Sequence, residues 1–231
     1  MRNFTLDGRL SSAAKFVRQG ARFADIGTDH AYLPIFLLLS GRIDYAFASD
    51  INEGPLRSAV ENARCAGVLD KMEFALADGL DAIADKGITD VAICGMGGEL
   101  IARIIEDAPF TKDSSLRLIL QPMSKFAHLR RSLASLGYEI EEEQYSLSQG
   151  KYYLTLCAHY TGKIREIDDL EAEFGNSKHL KDPSEHQREF ISRRAEALKK
   201  AARGRCLGGK TDSLEERLYV YASEILGRKD V

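Results

Sequence analysis

Four carboxylates and two glycine-bearing turns stand where this chain could do chemistry. The segment Asp25-Ile26-Gly27-Thr28-Asp29-His30-Ala31-Tyr32-Leu33-Pro34 sets Asp25 and Asp29 on either side of a glycine. Asp50 follows 23 residues after Gly27, Asp78 precedes Gly79, and Cys94-Gly95-Met96-Gly97-Gly98 puts three glycines in five residues. Glycine lets the backbone turn sharply or approach a ligand closely. Carboxylates at such turns attract cations and accept hydrogen bonds from hydroxyl and amino groups, but they repel phosphate.

The elements that must position these residues show in the apolar pattern. Short apolar runs at Arg22–Gly27, Tyr45–Asp50, Met72–Asp78, Asp90–Gly95 and Leu116–Pro122 have the character of buried parallel strands. Between them, Ala31–Ser40, Pro55–Ala66, Glu99–Asp107 and Lys125–Leu136 carry apolar residues at helical spacing, as in Leu100, Ile101, Ile104 and Ile105. Tyr138–Leu147 and Tyr152–Tyr160 flank Ser148-Gln149-Gly150-Lys151 and read as an antiparallel hairpin closing one sheet edge. The expected fold is therefore α/β: a Rossmann-like sheet of the class I methyltransferase type, with five parallel strands and a terminal hairpin.

After Lys163 the pattern becomes helical. Capping boxes at Ser184-Glu185-His186-Gln187 and Asp212-Ser213-Leu214-Glu215 predict two helix starts, separated by Gly208-Gly209. Ile191, Ala195, Leu198 and Ala202 share one face, as do Leu214, Leu218, Tyr221 and Ile225, which suggests an antiparallel coiled-coil-like hairpin. Residues 1–162 and 163–231 are expected to form a catalytic domain and a helical domain.

All four carboxylates then fall at strand ends. One acidic residue ending a strand is ordinarily a turn former, but ligands of open α/β sheets bind beyond the carboxyl ends of the strands, so signals at four successive strand ends, the last being the Gly95–Gly98 turn, point to a ligand. A dinucleotide site would place glycines at Gly27, Asp29 and Tyr32, and Asp29 would face the pyrophosphate, so NAD and FAD are disfavoured. S-adenosyl-L-methionine (AdoMet) has no phosphate and carries an amino group and a sulfonium. It fits Asp25, Gly27, Thr28 and Asp29 at the first turn, with Asp50, Ile51 and Asn52 at the ribose. Asp78 and Gly79 would meet the adenine, and Gly95, Met96 and Gly97 the point of transfer.

The strings DIGTDHAYLP, GMGG at Gly95–Gly98 and LQP at Leu120–Pro122, with the helical tail, resemble the bacterial tRNA (adenine-22-N1)-methyltransferase family. The resemblance spans essentially the whole chain. It implies methyl transfer from AdoMet to N1 of an adenine in tRNA, with cofactor contacts at Asp25, Gly27, Asp29, Asp50, Asp78 and Gly95–Gly97. The Asn-Pro-Pro-Tyr string of amino-group methyltransferases is absent after the fourth strand, which suits a ring nitrogen better than an exocyclic amine.

Asp29 is the first candidate to stabilise charge developing on the adenine, or to accept its N6 proton, with His30 and Gln121 as further candidates. His30 reads equally as a solvated helix-start residue. Tyr32 is placed either to stack on the target base or to pack on its own helix. Arg188, Lys199 and Arg203 fall on one stripe that could follow a phosphate backbone, or serve only as a solvated face. A methyltransferase acting on a small molecule, a protein or another RNA, and a non-enzymatic AdoMet- or RNA-binding protein, are the competing readings.

A formal net charge of −3 gives no overall basic character, so an RNA surface must be local. Cys65, Cys94, Cys157 and Cys206 form no CxxC pair and the histidines have no metal spacing, so neither disulfides nor a metal is expected. No membrane-length apolar run is present; the expected location is cytoplasmic, with tRNA as partner and no obligate protein partner evident.

Overall fold

The computed structural model describes residues 5–207 and 213–227. Strands β1 (Ala21–Ile26), β2 (Ile43–Asp50), β3 (Met72–Leu76), β4 (Asp90–Gly97) and β5 (Arg117–Ser124) pair in parallel. The hairpin β6 (Tyr138–Ser148) and β7 (Lys151–Tyr160) completes one seven-stranded sheet in the order β3-β2-β1-β4-β5-β7-β6. Its two-residue turn, Gln149-Gly150, has both residues at positive φ, the tight turn that matches strand twist.

Two apolar layers enclose this sheet. Helices α1 (Gly8–Phe16), α2 (Tyr32–Leu39) and α3 (Glu53–Ala66) cover one face, burying Ala13, Phe16, Leu33, Ile35, Ala59 and Ala63 against Phe23, Ala46 and Ile119. Helices α4 (Gly98–Glu106) and α5 (Phe126–Leu136) cover the other with Ile101, Ile105, Leu129 and Leu133 against Ala24, Phe47 and Leu118. Period-two alternation along each strand feeds both layers.

Several sequence expectations shift. Strand β3 stops at Leu76, which leaves Asp78 in a loop, while β4 runs on to Gly97. Helix α1 was not foreseen; Asp7 caps it by accepting from Leu10 N at 2.8 Å. Glycine at position 8 is required because a Cβ there would collide with the Leu147 carbonyl of β6.

The C-terminal region is helical: α6 (Asp169–Phe174), α7 (Glu185–Leu207) and α8 (Leu214–Ile225). Ile191, Ala195 and Leu198 of α7 pack on Leu218 and Ala222 of α8, together with Phe174 and Leu180. Arg188 near the start of α7 bonds the Leu226 carbonyl, and Lys199 lies over Tyr219, so α7 and α8 run antiparallel. Leu214 is exposed, and Ala222 takes its place in the seam. Ser213 caps α8 by accepting from Glu216 N; Asp212 and Gly208-Gly209 lie outside the described residues.

A buried joint holds this arm to the sheet. Arg130 of α5 donates from Nε and Nη2 to the two oxygens of Glu143 on β6, both at 2.9 Å, and from Nη1 to the Ala172 and Glu173 carbonyls of α6 at 3.0 Å. Both side chains are at most 2% exposed. Tyr145 Oη donates to Glu143, Arg194 of α7 pairs with Glu173, and Phe190 stands edge-on to Phe126 and Tyr145.

Removing one partner of such a pair strands a buried charge. Arg130→Met should destabilise the protein by about 3–5 kcal/mol, and adding Glu143→Leu should recover a large part of that loss. Urea denaturation of the two variants measures the difference; equal losses would mean that Glu143 finds another partner.

Candidate functional site

Between β1 and β4 the chain reverses its direction of progress across the sheet, and the connecting helices leave to opposite faces. A crevice opens at such a point beyond the carboxyl ends of the strands. Gly27, at φ 73°, makes the turn out of β1, and Gly27 N and Thr28 N both donate to the Ser49 carbonyl at 2.8 Å, pinning the turn to β2. A Cβ at Gly27 would collide with the Met96 side chain, which lies across the turn.

Asp25 is buried, with Thr28 Oγ1 donating to it at 2.6 Å. Desolvation pushes its carboxyl up to about 6, against the Thr28 hydrogen bond and the Arg9 charge; Asp50 adds to the rise. Asp50, also buried, accepts at Oδ1 from Asn52 N at 2.8 Å and Asn52 Nδ2 at 3.2 Å, which fixes the carboxylate at the end of β2. Ile51 and Asn52 are exposed beside it.

On the far side of the crevice, Gly95 at φ 80° forms a bulge between β4 and β5. Gln121 of β5 is fully buried, and its Oε1 accepts from Gly95 N at 3.0 Å and Arg9 Nη1 at 3.1 Å. Both neighbours are donors only, so the oxygen must face them and Nε2 must face away. Among the described residues Nε2 has no partner. Gln121 was a candidate to stabilise charge on the adenine or to accept its N6 proton; here its oxygen is occupied by two donors, and its remaining atom, Nε2, is itself a donor.

Asp29 extends into solvent, its side chain 78% exposed, 3.5 Å from His30 Nε2. The His30 ring lies 5.2 Å from that of Tyr32, whose side chain is 43% exposed. Gly98 serves packing rather than access, since a Cβ there would sit 2.5 Å from the Lys125 carbonyl oxygen and 2.9 Å from that of Ser124. Cys94 adjoins the crevice, and burial pushes its thiol up.

The structure thus brings Asp25, Gly27, Thr28, Asp50, Gly95, Met96, Gly97 and Gln121 together, with Asp29 and His30 at the rim. Asp78 is exposed, and Asp78 and Gly79 line a cavity against Arg103, Ile104 and Asp107 of the α4 region. Arg188, Lys199 and Arg203 lie on α7; the first two are drawn onto α8, so the stripe does not wholly face away from the seam, and Arg203 is exposed. Sequence reasoning missed Arg9 at the crevice, because only the packing of α1 brings it there. Among the described residues no group of His, Cys, Asp or Glu could hold a metal ion.

A methyltransferase-domain model matches residues 6–156. The tRNA (adenine(22)-N(1))-methyltransferase of Bacillus subtilis is 33% identical over 175 residues, covering 76% of this chain and 74% of that protein. The chain belongs to this methyltransferase family. A Streptococcus pneumoniae structure described as a candidate tRNA (m1A22) methyltransferase superposes with a TM-score of 0.82 at 35% identity, over 96% of this chain and all of that one. The family member TrmK of M. capricolum, in complex with S-adenosyl-homocysteine, gives 0.74 at 26% identity, over 96% and 95% of the two chains.

The raised carboxyl of Asp25 bears on stability. Its folded value of about 6 lies above the ordinary 3.8, so its contribution is most favourable below pH 4 and is lost as pH rises through 6. Asp25→Asn removes that dependence and should stabilise the ligand-free protein at pH 8 by up to about 3 kcal/mol, with no gain at pH 4. Urea midpoints at the two pH values test this; equal shifts would sink the assignment.

Proposed function

We propose that this protein transfers the methyl group of AdoMet to N1 of an adenine in tRNA, adenine 22 as in the names of its relatives. The observation that carries the reading is kinship over three-quarters of a relative bearing that name, joined to an acidic crevice at the strand reversal. A Streptococcus pneumoniae structure at 34% identity holds S-adenosyl-L-methionine.

The residues fit that cofactor. A buried carboxylate raised by desolvation is completed by a cation, and the amino group and sulfonium of AdoMet supply positive charge beside Asp25. Asp50, held by Asn52 next to Ile51, would accept from the ribose hydroxyls; Gly27, Thr28, Gly95, Met96 and Gly97 would form the walls; and the adenine would extend toward the cavity that Asp78 and Gly79 line with Arg103 and Ile104. The bound cofactor supplies a methyl group already activated by its sulfonium.

The protein's own task is to hold the ring nitrogen collinear with that methyl group and to keep water away. Asp29 stabilises the positive charge that methylation leaves on the adenine, or takes its N6 proton, and His30 accompanies it at 3.5 Å. Arg188, Lys199 and Arg203 attract the tRNA backbone. No helix among the described residues is long and apolar enough to cross a membrane, which suits a tRNA enzyme of the cytoplasm.

Purified protein incubated with AdoMet and unmodified tRNA should produce a reverse-transcription stop at a single adenine; unchanged tRNA would refute the reading. In calorimetry, Asp50→Ala should weaken AdoMet binding about 10- to 150-fold through loss of about 1.5–3 kcal/mol of charge-assisted hydrogen bonding. Replacing Arg188, Lys199 and Arg203 together with Gln should leave AdoMet affinity nearly unchanged while lowering the log–log salt slope of tRNA binding by about 1 for each phosphate no longer neutralised. A parental slope would leave those side chains as solvated surface.

A further inference from the structure

Outside the crevice, α2 and α3 leave an open groove whose lining includes His30, Tyr32, Arg57, Ser58, Asn62 and Arg64. Its floor is aromatic: the His30 and Tyr32 rings lie 5.2 Å apart, tilted by 33°. Tyr32 is 43% exposed, so part of its ring is open to the groove. Two features hold the pair in place. Ala31 adopts the left-handed conformation at φ 54°, which costs energy for a residue with a Cβ, and Asn62 Nδ2 donates to the His30 carbonyl at 3.0 Å, tying the loop to α3.

The walls are cationic. Arg57 and Arg64 line the groove against the single carboxylate of Glu61. Arg64 pairs with Glu61, and Arg57 reaches Glu53 only at 3.8 Å with both side chains more than 70% exposed. Ion pairs this exposed are weak and readily exchanged for another anion. A part-exposed ring in a groove also lined by guanidinium groups is the chemistry that receives an unpaired nucleotide, with the base stacked on the ring and the phosphate on arginine. Asp29, at the rim of the crevice, and Tyr32 are three residues apart, so at most about 11 Å of chain separates them. That span suits neighbouring nucleotides of one strand.

We propose that this groove seats a nucleotide adjacent to the target adenine, with Tyr32 stacking on its base and Arg57 meeting its phosphate. The inference rests on the tRNA reading above. It makes Tyr32 a reader of the flanking nucleotide rather than of the methylated base.

A cycle of protein and RNA changes tests it. Tyr32→Ala should lower kcat/KM for tRNA about 5- to 100-fold with AdoMet affinity unchanged, while Tyr32→Phe keeps the parental value. In the parent protein, a tRNA lacking the base on one side of the target adenine should show a similar loss. That loss should vanish in Tyr32→Ala, because the stacking partner is already gone. Independent, multiplicative losses, or a Tyr32→Ala variant with parental kcat/KM, would overturn the groove while leaving the methyltransferase reading intact. Reduced AdoMet affinity in Tyr32→Ala would also overturn it, by moving the ring into the crevice. Failure of the parent protein to methylate any tRNA would instead remove the reading on which the groove depends.

Discussion

The reversal of strand order between β1 and β4 is the constraint on which the rest depends. Parallel strands oblige each connection to cross one face of the sheet, and here the first three helices cover one face while α4 and α5 cover the other. At the reversal no helix bridges the two strands, and the polar ends of β1, β2 and β4 gather around the gap. At the opposite end of these strands an acidic residue is paired quite differently. Asp90, fully buried at the start of β4, accepts from Arg18 N at 2.7 Å and Nε at 2.8 Å. Asp25, on the neighbouring strand at the open end, has among the described residues Thr28 alone as a hydrogen-bond donor. One carboxylate is matched by a guanidinium; the other is held by a hydroxyl and raised by desolvation.

The helical arm is attached by a different logic. A loosely tethered extension could be held by apolar contacts alone, yet here a guanidinium is spent on two carbonyls of α6 and one carboxylate of β6, all within the interior. Such a joint is directional: hydrogen bonds fix angles in a way that apolar packing does not. The arm therefore presents Arg203 and its neighbours from one orientation relative to the crevice, and a folded RNA that meets both must match that geometry.

Much of this was legible in the sequence. The five parallel strands announced themselves because strands buried on both faces are continuously apolar, and the acidic strand ends followed from their borders. What stayed hidden depends on tertiary fit. Helix α1 is short and weakly amphipathic, and its place is decided by the absence of a side chain at Gly8 against Leu147, which no local pattern reveals. Arg9 reads as an ordinary surface cation until that helix docks. The orientation of the Gln121 amide was equally invisible, because it is set by donors 26 and 112 residues away. Gly98, one of the glycines expected to let the backbone approach a ligand, is instead demanded by the backbone of the β5–α5 connection.

The contact of Gly8 with β6 also has a mechanical side. Gly8 bears on Leu147 near the hairpin tip, and the next residue, Arg9, holds the oxygen of Gln121 in the crevice. The far side of that tip is gripped by α7, through Arg193 on the Gly150 carbonyl and over the Tyr152 ring. The first turn of α1 thus stands between the hairpin tip and the crevice amide and meets both. The arm, the hairpin tip and the amide beside the glycine bulge are thereby joined by one run of direct contacts, although they come from four separate parts of the chain.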